Sequence, residues 1–201
     1  MAKRAFDLLG AGLLLLLLSP LMLAIAAWIK LDSPGPVFFR QQRAGRHGVP
    51  FRIHKFRTMV ADAAQRGGAL TLQGDARITR AGAWLRPRRL DELPQLFDVL
   101  AGTMSLVGPR PEVPAYVAHY PEALRAAALS VKPGITSPAA LEFLDEADQL
   151  ARAADPEREY IEAILPRKVQ LAADYAARSS LRGDLCVLGR TLRRLLAGRG
   201  R

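Results

Sequence analysis

The chain is poor in the residues that build disulfides and zinc sites. Its one cysteine, Cys186, excludes an internal disulfide, and its three histidines, His47, His54 and His119, stand apart with no Cys/His spacing of a metal site. A reducing, cytoplasm-facing domain is the default for such a chain. Acidic residues are also short: 19 Asp and Glu stand against 29 Lys and Arg, a formal net charge of +10, so the surface seeks anions. Aromatics are only 6% of residues and do not interleave with the basic clusters at Arg86/Arg88/Arg89 and Arg193/Arg194, which argues against a base-stacking nucleic-acid surface. No repeat and no low-complexity linker occurs, and 201 residues make one ordinary domain with an appendage.

The longest absence is of charge. No charged residue occurs in residues 8–29, a run long enough to cross a bilayer as a helix of about 20 residues. It is longer than a signal-peptide core and continues into Trp28, Lys30 and Ser33-Pro34-Gly35-Pro36, so it reads as retained. Ser19-Pro20 lies at its midpoint, where proline removes a backbone donor and a kink is expected. Each half then spans roughly 15 Å, about half the hydrocarbon thickness. Lys3 and Arg4 precede the run and Lys30, Arg40 and Arg43 follow it, which places both flanks on the cytoplasmic side. A re-entrant helix over residues 1–32, broken at Ser19-Pro20, is therefore preferred to a spanning one, with a cytoplasmic domain over residues 33–201.

Within that domain, residues 37–41 and 51–56 alternate apolar and polar positions and predict a small β-hairpin closed through Gly45 and Gly48. Residues 61–74 are polar and glycine-containing, a mobile excursion. Residues 83–89 mix Trp84 with cations, which suits a segment at the headgroup level and equally an ordinary basic turn. Pro94 opens a helix over 95–100 that Gly102 stops. Further helices are expected over 121–129, 139–154, 156–177 with an interruption at Pro166, and 184–196, before a basic tail. The fold class is α+β, mainly helical.

Rigid polar segments crowd the middle of the chain: Lys55-Phe56-Arg57-Thr58-Met59, Asp75-Ala76-Arg77-Ile78-Thr79, Leu90-Asp91-Glu92-Leu93-Pro94-Gln95-Leu96 and Ser105-Leu106-Val107-Gly108-Pro109-Arg110-Pro111-Glu112. A guanidinium in a stiff Gly-Pro-Arg-Pro turn matches phosphate oxygens, although a lone arginine in such a loop is as commonly a surface residue. Asp91 and Glu92 precede a helix and could simply complement its dipole. Their setting after Arg86, Arg88 and Arg89 and near Arg110 favours chemistry, because those cations would hold both carboxylates ionised. An ionised aspartate can attack phosphorus or bind Mg²⁺.

These segments, in this order, with the Ser19-Pro20 helix before them and Lys132-Pro133-Gly134-Ile135-Thr136 after, resemble the bacterial sugar transferase family, the monotopic phosphoglycosyl transferases. The resemblance covers the whole chain. It implies transfer of a sugar 1-phosphate from a UDP-sugar to polyprenol (undecaprenyl) phosphate at the bacterial cytoplasmic membrane, with release of UMP. In that reaction Asp91 is the nucleophile that carries the phosphosugar, Glu92 assists as base or metal-shell partner, and Mg²⁺ binds at Asp91 and Glu92. Lys55, Arg57, Arg77, Arg88, Arg110 and Glu112 are the implied phosphate- and substrate-binding residues. The implied partners are the two substrates and the anionic cytoplasmic leaflet, with no nucleic acid and with room for a homodimer. The competing reading is a membrane-anchored, non-catalytic scaffold of a polysaccharide assembly complex. Three departures from the family pattern stand out: Asp98 where Asn is usual, Thr103 where Asp is usual, and Ser137-Pro138-Ala139-Ala140-Leu141-Glu142 in place of a Gly-Trp-Ala-Gln run. Tyr160, Pro166, Lys168 and Tyr175 read first as helix packing and surface.

Overall fold

The computed structural model describes residues 1–66, 74–143 and 146–197. Most of the 61–74 excursion and the basic tail beyond the last helix lie outside the described residues. Helix α1 (Ala2–Asp32) leads into a hairpin of β1 (Phe38–Ala44) and β2 (Pro50–Phe56), then α2 (Ala63–Arg66), α3 (Arg80–Leu85), α4 (Gln95–Ala101) and β3 (Ser105–Val107). Helices α5 (Pro114–Val117) and α6 (Glu122–Ala128), strand β4 (Gly134–Thr136), and α7 (Pro138–Glu142), α8 (Glu146–Arg152), α9 (Pro156–Glu159), α10 (Leu165–Arg178) and α11 (Leu181–Ala197) complete it.

Helix α1 is one continuous element, with Pro20 inside it. The break expected at Ser19-Pro20 is corrected: the helix continues through it, and a side-chain hydrogen bond takes the place of the one proline cannot make. Proline cannot donate to the carbonyl four residues back, and the Ser19 hydroxyl donates to that same Leu16 carbonyl at 2.9 Å. Asp7, Ala11, Met22, Ile25 and Ile29 form a buried stripe at helical spacing, while Leu9, Leu13, Leu16, Leu17, Leu21 and Leu23 are exposed.

Both ends of α1 are tied to the same body. At the start, the Arg4 guanidinium donates to the carbonyls of Val99 at 2.6 Å and Leu100 at 2.9 Å, in the last turn of α4, and Lys3 pairs with Asp184 of α11 at 2.7 Å. At the finish, Asp32 accepts from the backbone N–H of Ala81 in α3 at 3.0 Å, and Lys30 donates to the Gly35 carbonyl at 3.0 Å.

The hairpin forms where alternation predicts it, in antiparallel register from Phe38↔Phe56 to Ala44↔Pro50, which turns Ile53 into the core and Lys55 toward the turn before α4. Unforeseen is the parallel pairing of β3 with β4, Ser105↔Gly134 and Val107↔Thr136. Here two motif glycines are explained by close approach: a Cβ on Gly134 would lie 2.0 Å from the Gly108 nitrogen, and one on Gly108 2.4 Å from the Lys132 carbonyl oxygen.

Of the expected helices, 95–100 and 121–129 form with nearly the anticipated limits, and Gly102 closes α4 at φ 85°. The 139–154 segment is two helices, α7 and α8. The 156–177 segment holds no break at Pro166; a π-helical turn, Tyr160–Ile164, joins α9 to α10, and Pro166 sits harmlessly in the first turn of α10.

Candidate active site

The acidic pair is placed by leucines. Leu85 and Leu96 are buried, and Leu90 and Leu93 pack against the core cluster of Met22, Ile25 and Phe56, so the 3₁₀ turn Leu90–Glu92 is held down on its apolar side. Arg89 joins that turn to the preceding one, Arg86–Arg88, in the left-handed region at φ 54°, a conformation that residues with a Cβ seldom adopt. The cap position of α4 is Pro94, without a side-chain cap, so neither carboxylate serves as the helix cap.

The structure separates the two carboxylates. Glu92 is 6% exposed and gathers the cations. Lys55 Nζ lies 2.9 Å from its Oε1, Arg110 Nη2 2.7 Å from the same oxygen, and Arg89 Nη1 3.8 Å from Oε2. Burial opposes its ionisation, but Arg110, Lys55 and Arg89 outweigh it and hold the carboxyl well below the usual range. Asp91, 8% exposed, makes no hydrogen bond and no ion pair among the described residues. Burial, then the neighbouring Glu92 charge, push its carboxyl above the ordinary aspartate value, with Lys55, Arg86 and Arg110 pulling the other way. The cations thus act unequally on the pair: they hold Glu92 well below the usual range, while Asp91 stands above its ordinary value.

Lys55 is itself pushed down by burial and by Arg110, against the pull of Glu92, while Glu92 pushes Arg110 up. Three cations thus face two carboxylates, a local excess suited to a phosphate-bearing anion. Asp91, Glu92, Lys55 and Arg110 line one open cleft of about 1850 Å³, which reaches Leu14 and Leu18 of α1 on one side and Tyr160 of the helical region on the other.

The remaining expected residues are spent differently. Arg57 is buried and donates to the carbonyls of Ser33 at 2.7 Å, Ile29 at 3.3 Å and Pro34, closing the C-terminal end of α1. Its phosphate-binding expectation yields to a structural one, because these carbonyls engage both of its terminal nitrogens. Arg77 pairs with Asp75 at 2.6 Å. Arg88 lies over the Trp84 ring at 4.3 Å and donates to the Trp84 carbonyl; Trp84 in turn meets Trp28 edge-on at 5.5 Å. Glu112 is buried and accepts from the Tyr160 hydroxyl at 2.8 Å. Asp98, given no role from sequence, accepts from the backbone N–H of His54 and lies 2.7 Å from its Nδ1.

Arg89, named with Arg86 and Arg88 as a cation beside the acidic pair, is the one of the three paired with Glu92 among the described residues. Sequence reading placed Tyr160 in helix packing and missed it as part of the cleft, since 48 residues separate it from Glu112.

No group of three or more His, Cys, Asp or Glu among the described residues forms a protein-only metal cage. Magnesium does not need one, because it is commonly held by one or two carboxylates with substrate phosphates and water. The unpartnered carboxylate of Asp91 fits that requirement; the oxygens of Glu92 are already engaged by cations.

The whole chain fits one family description. Residues 1–198 match the model for bacterial sugar transferase. The chain is 40% identical over 198 residues to UDP-glucose:undecaprenyl-phosphate glucose-1-phosphate transferase of Caulobacter vibrioides, covering 96% of this chain and 69% of that protein. It is 40% identical over 199 residues to the protein of the same description in Xanthomonas campestris pv. campestris, 97% of this chain and 39% of that one. It is also 51% identical over 118 residues to the UDP-N-acetylgalactosamine-undecaprenyl-phosphate N-acetylgalactosaminephosphotransferase of Aeromonas hydrophila, 59% of this chain and 28% of that one. With its acidic pair, cation cluster and apolar leading helix all lying within the matched residues, the chain belongs to the bacterial sugar transferase family.

Proposed function

We propose that this protein transfers a sugar 1-phosphate from a UDP-sugar to polyprenol phosphate through a covalent intermediate on Asp91. The observation that carries the reading is the division of labour in the acidic pair: Glu92 fixes three cations, and Asp91 beside them keeps an unengaged carboxylate. An Asp91 oxygen attacks the phosphorus that bears the sugar, the bond from that phosphorus to the bridging oxygen breaks, and UMP leaves with that oxygen. An oxygen of polyprenol phosphate then attacks the same phosphorus, the aspartyl bond breaks, and the carboxylate is restored. Lys55, Arg89 and Arg110 neutralise charge on the transferring group, which is the main demand of phosphoryl transfer. Magnesium, held by Asp91 and the substrate phosphates, would supply further neutralisation of the diphosphate.

The docking of α1 supports a re-entrant arrangement. Its two ends dock on one body, through Arg4 on α4 and Asp32 on α3, and its exposed leucines lie between them. A helix that enters and leaves by the same face would set the cleft at the depth of a lipid phosphate on the cytoplasmic side. In a Cys186→Ser background, single cysteines placed before Lys3 and after Asp32 should label from the same side of sealed vesicles. Labelling from opposite sides would overturn the re-entrant reading.

The chemistry is tested by intact-mass spectrometry after incubation with Mg²⁺ and a panel of UDP-sugars, without lipid acceptor. A phosphosugar adduct is expected on the wild type and none on Asp91→Asn. An adduct retained by Asp91→Asn would remove Asp91 as nucleophile.

A further inference from the structure

Glu112 is the carboxylate of the cleft that the phosphate chemistry leaves unexplained. It makes no ion pair among the described residues, and a negative group repels phosphate. Its backbone is fixed by the hydrogen bond that its carbonyl accepts from Ala44 at the end of β1, 2.9 Å. Of its side-chain oxygens, Oε1 accepts from the Tyr160 hydroxyl at 2.8 Å, and Oε2 has no hydrogen bond.

Tyr160 is unusually constrained for a residue that merely fills space. It is 3% exposed and begins the π-helical turn Tyr160–Ile164, an insertion that re-aims side chains and is common where a helix serves a site. The Tyr116 ring packs 4.9 Å from its ring, and Lys168 stands over its other flank at 4.8 Å, held there by Glu146 at 2.5 Å. Burial and the Glu112 charge push the phenol up, so it stays a neutral donor to that carboxylate. The arrangement fixes one oxygen of Glu112 and leaves the other without a hydrogen bond on a residue that lines the cleft, whose walls include Tyr116, Tyr120 and Phe143 as well as the nearby cations Arg43 and Arg110.

An open carboxylate acceptor among aromatic faces is chemistry for hydroxyl groups on an apolar ring frame. We propose that Glu112, oriented by Tyr160, accepts hydrogen bonds from hydroxyls of the hexose of the UDP-sugar and so selects which sugar is transferred. This rests on the reading of the chain as a UDP-sugar enzyme. Glu112 is then a specificity residue and Tyr160 a positioning residue, which narrows the expectation that Glu112 binds phosphate or substrate to the hexose.

The test compares wild type, Tyr160→Phe and Glu112→Gln by UMP release, in lipid-supplemented assays, with a panel of UDP-hexoses and deoxy analogues of the preferred one. For the preferred sugar, kcat/KM should fall about tenfold in Tyr160→Phe, and its advantage over the analogue lacking the recognised hydroxyl should shrink by a similar factor. Glu112→Gln, close to isosteric, should shrink that advantage by about 10- to 30-fold. A loss shared equally by all sugars in both variants would mean a structural role and overturn the proposal. If Tyr160→Phe fails to fold, the selectivity of Glu112→Gln decides alone. A wild type that releases UMP from no UDP-sugar would instead sink the underlying activity, and this proposal with it.

Discussion

Two buried acidic clusters in this molecule solve the same problem in opposite ways. Between α1, β3 and α11, Asp7 accepts from the Ser105 hydroxyl at 3.0 Å and the Leu106 N–H at 3.1 Å, and Asp184 accepts from the Tyr175 hydroxyl at 2.7 Å. Lys3 adds a 2.7 Å ion pair to the second oxygen of Asp184, off the hydrogen-bonding direction. Every carboxylate there is engaged, as stability requires of buried charge. At the turn Leu90–Glu92, one carboxylate takes three cations and its neighbour takes none. The first arrangement spends its carboxylates on holding elements together, whereas Asp91 lines the open cleft with its carboxylate left over for a ligand.

Substitution of Asp91 gives the sharpest separation. Asp91→Asn should lower turnover by about 10⁴-fold, the scale of a lost nucleophile. It should also stabilise the fold at neutral pH, because a carboxyl pushed up in the folded state binds its proton more tightly folded than unfolded. Such a group costs stability above its folded value, and the cost disappears below about pH 4, where both states are protonated. A midpoint gain of about 2–4 °C at pH 7, lost in acid, is what about 1 kcal/mol produces in a domain of this size. A thermal scan showing Asp91→Asn less stable than wild type at pH 7 would place Asp91 among the structural acids.

Replacing its neighbour probes the division within the pair. The wild-type rate should fall on the acid side as Asp91 protonates, at a pH above the ordinary aspartate value of about 4. Glu92→Gln removes a repelling charge and frees Lys55, Arg89 and Arg110 to act on Asp91. The acid limb should therefore move to lower pH even as the rate drops about 100-fold from misplaced cations. A limb that stays in place in the pH–rate profile would show that Asp91 does not feel Glu92.

The contrasting test lies in the structural cluster. Asp184→Ala should cost about 2 kcal/mol of stability, for the charged hydrogen bond lost by Tyr175. The Lys3 contribution is discounted, because that side chain is 37% exposed and can turn to water. In urea titrations a loss this size is easily read, and the UMP-release rate of the folded fraction should hold. If activity falls with stability unchanged, the two clusters are not separate in function.

How much of this was legible in the sequence depended on distance along the chain. The hairpin followed from alternation in Phe38–Ala44 and Pro50–Phe56, and α4 from Pro94 and Gly102, because those signals are local. The acidic pair, Lys55 and Arg110 were legible as motif residues. The Tyr160–Glu112 bond, the β3–β4 pairing and the docking of Lys3 on Asp184 were not, since each joins segments that no periodicity relates. Arg57 misled for the same reason: a buried guanidinium closing a helix end and one binding phosphate look alike in sequence, and only the Ile29, Ser33 and Pro34 carbonyls tell them apart.

Satisfaction of polar groups away from water matters in the apolar helix too, where its effect is smallest. Pro20 leaves the Leu16 carbonyl without its usual donor, and the Ser19 hydroxyl replaces that donor. In hydrocarbon no water can do so, and the bond is worth roughly 1 kcal/mol by analogy with side-chain hydrogen bonds between membrane helices. Ser19→Ala should therefore lower the unfolding midpoint of the chain in lipid nanodiscs by about 2–4 °C, while Ser19→Thr, which keeps the hydroxyl, should not. Turnover per folded molecule should be little changed, since Ser19 lies far along the chain from Asp91 and touches none of its cations. Equal midpoints for Ser19→Ala and wild type would mean that water reaches the Leu16 carbonyl, and hence that the middle of α1 lies nearer the surface than its exposed leucines suggest.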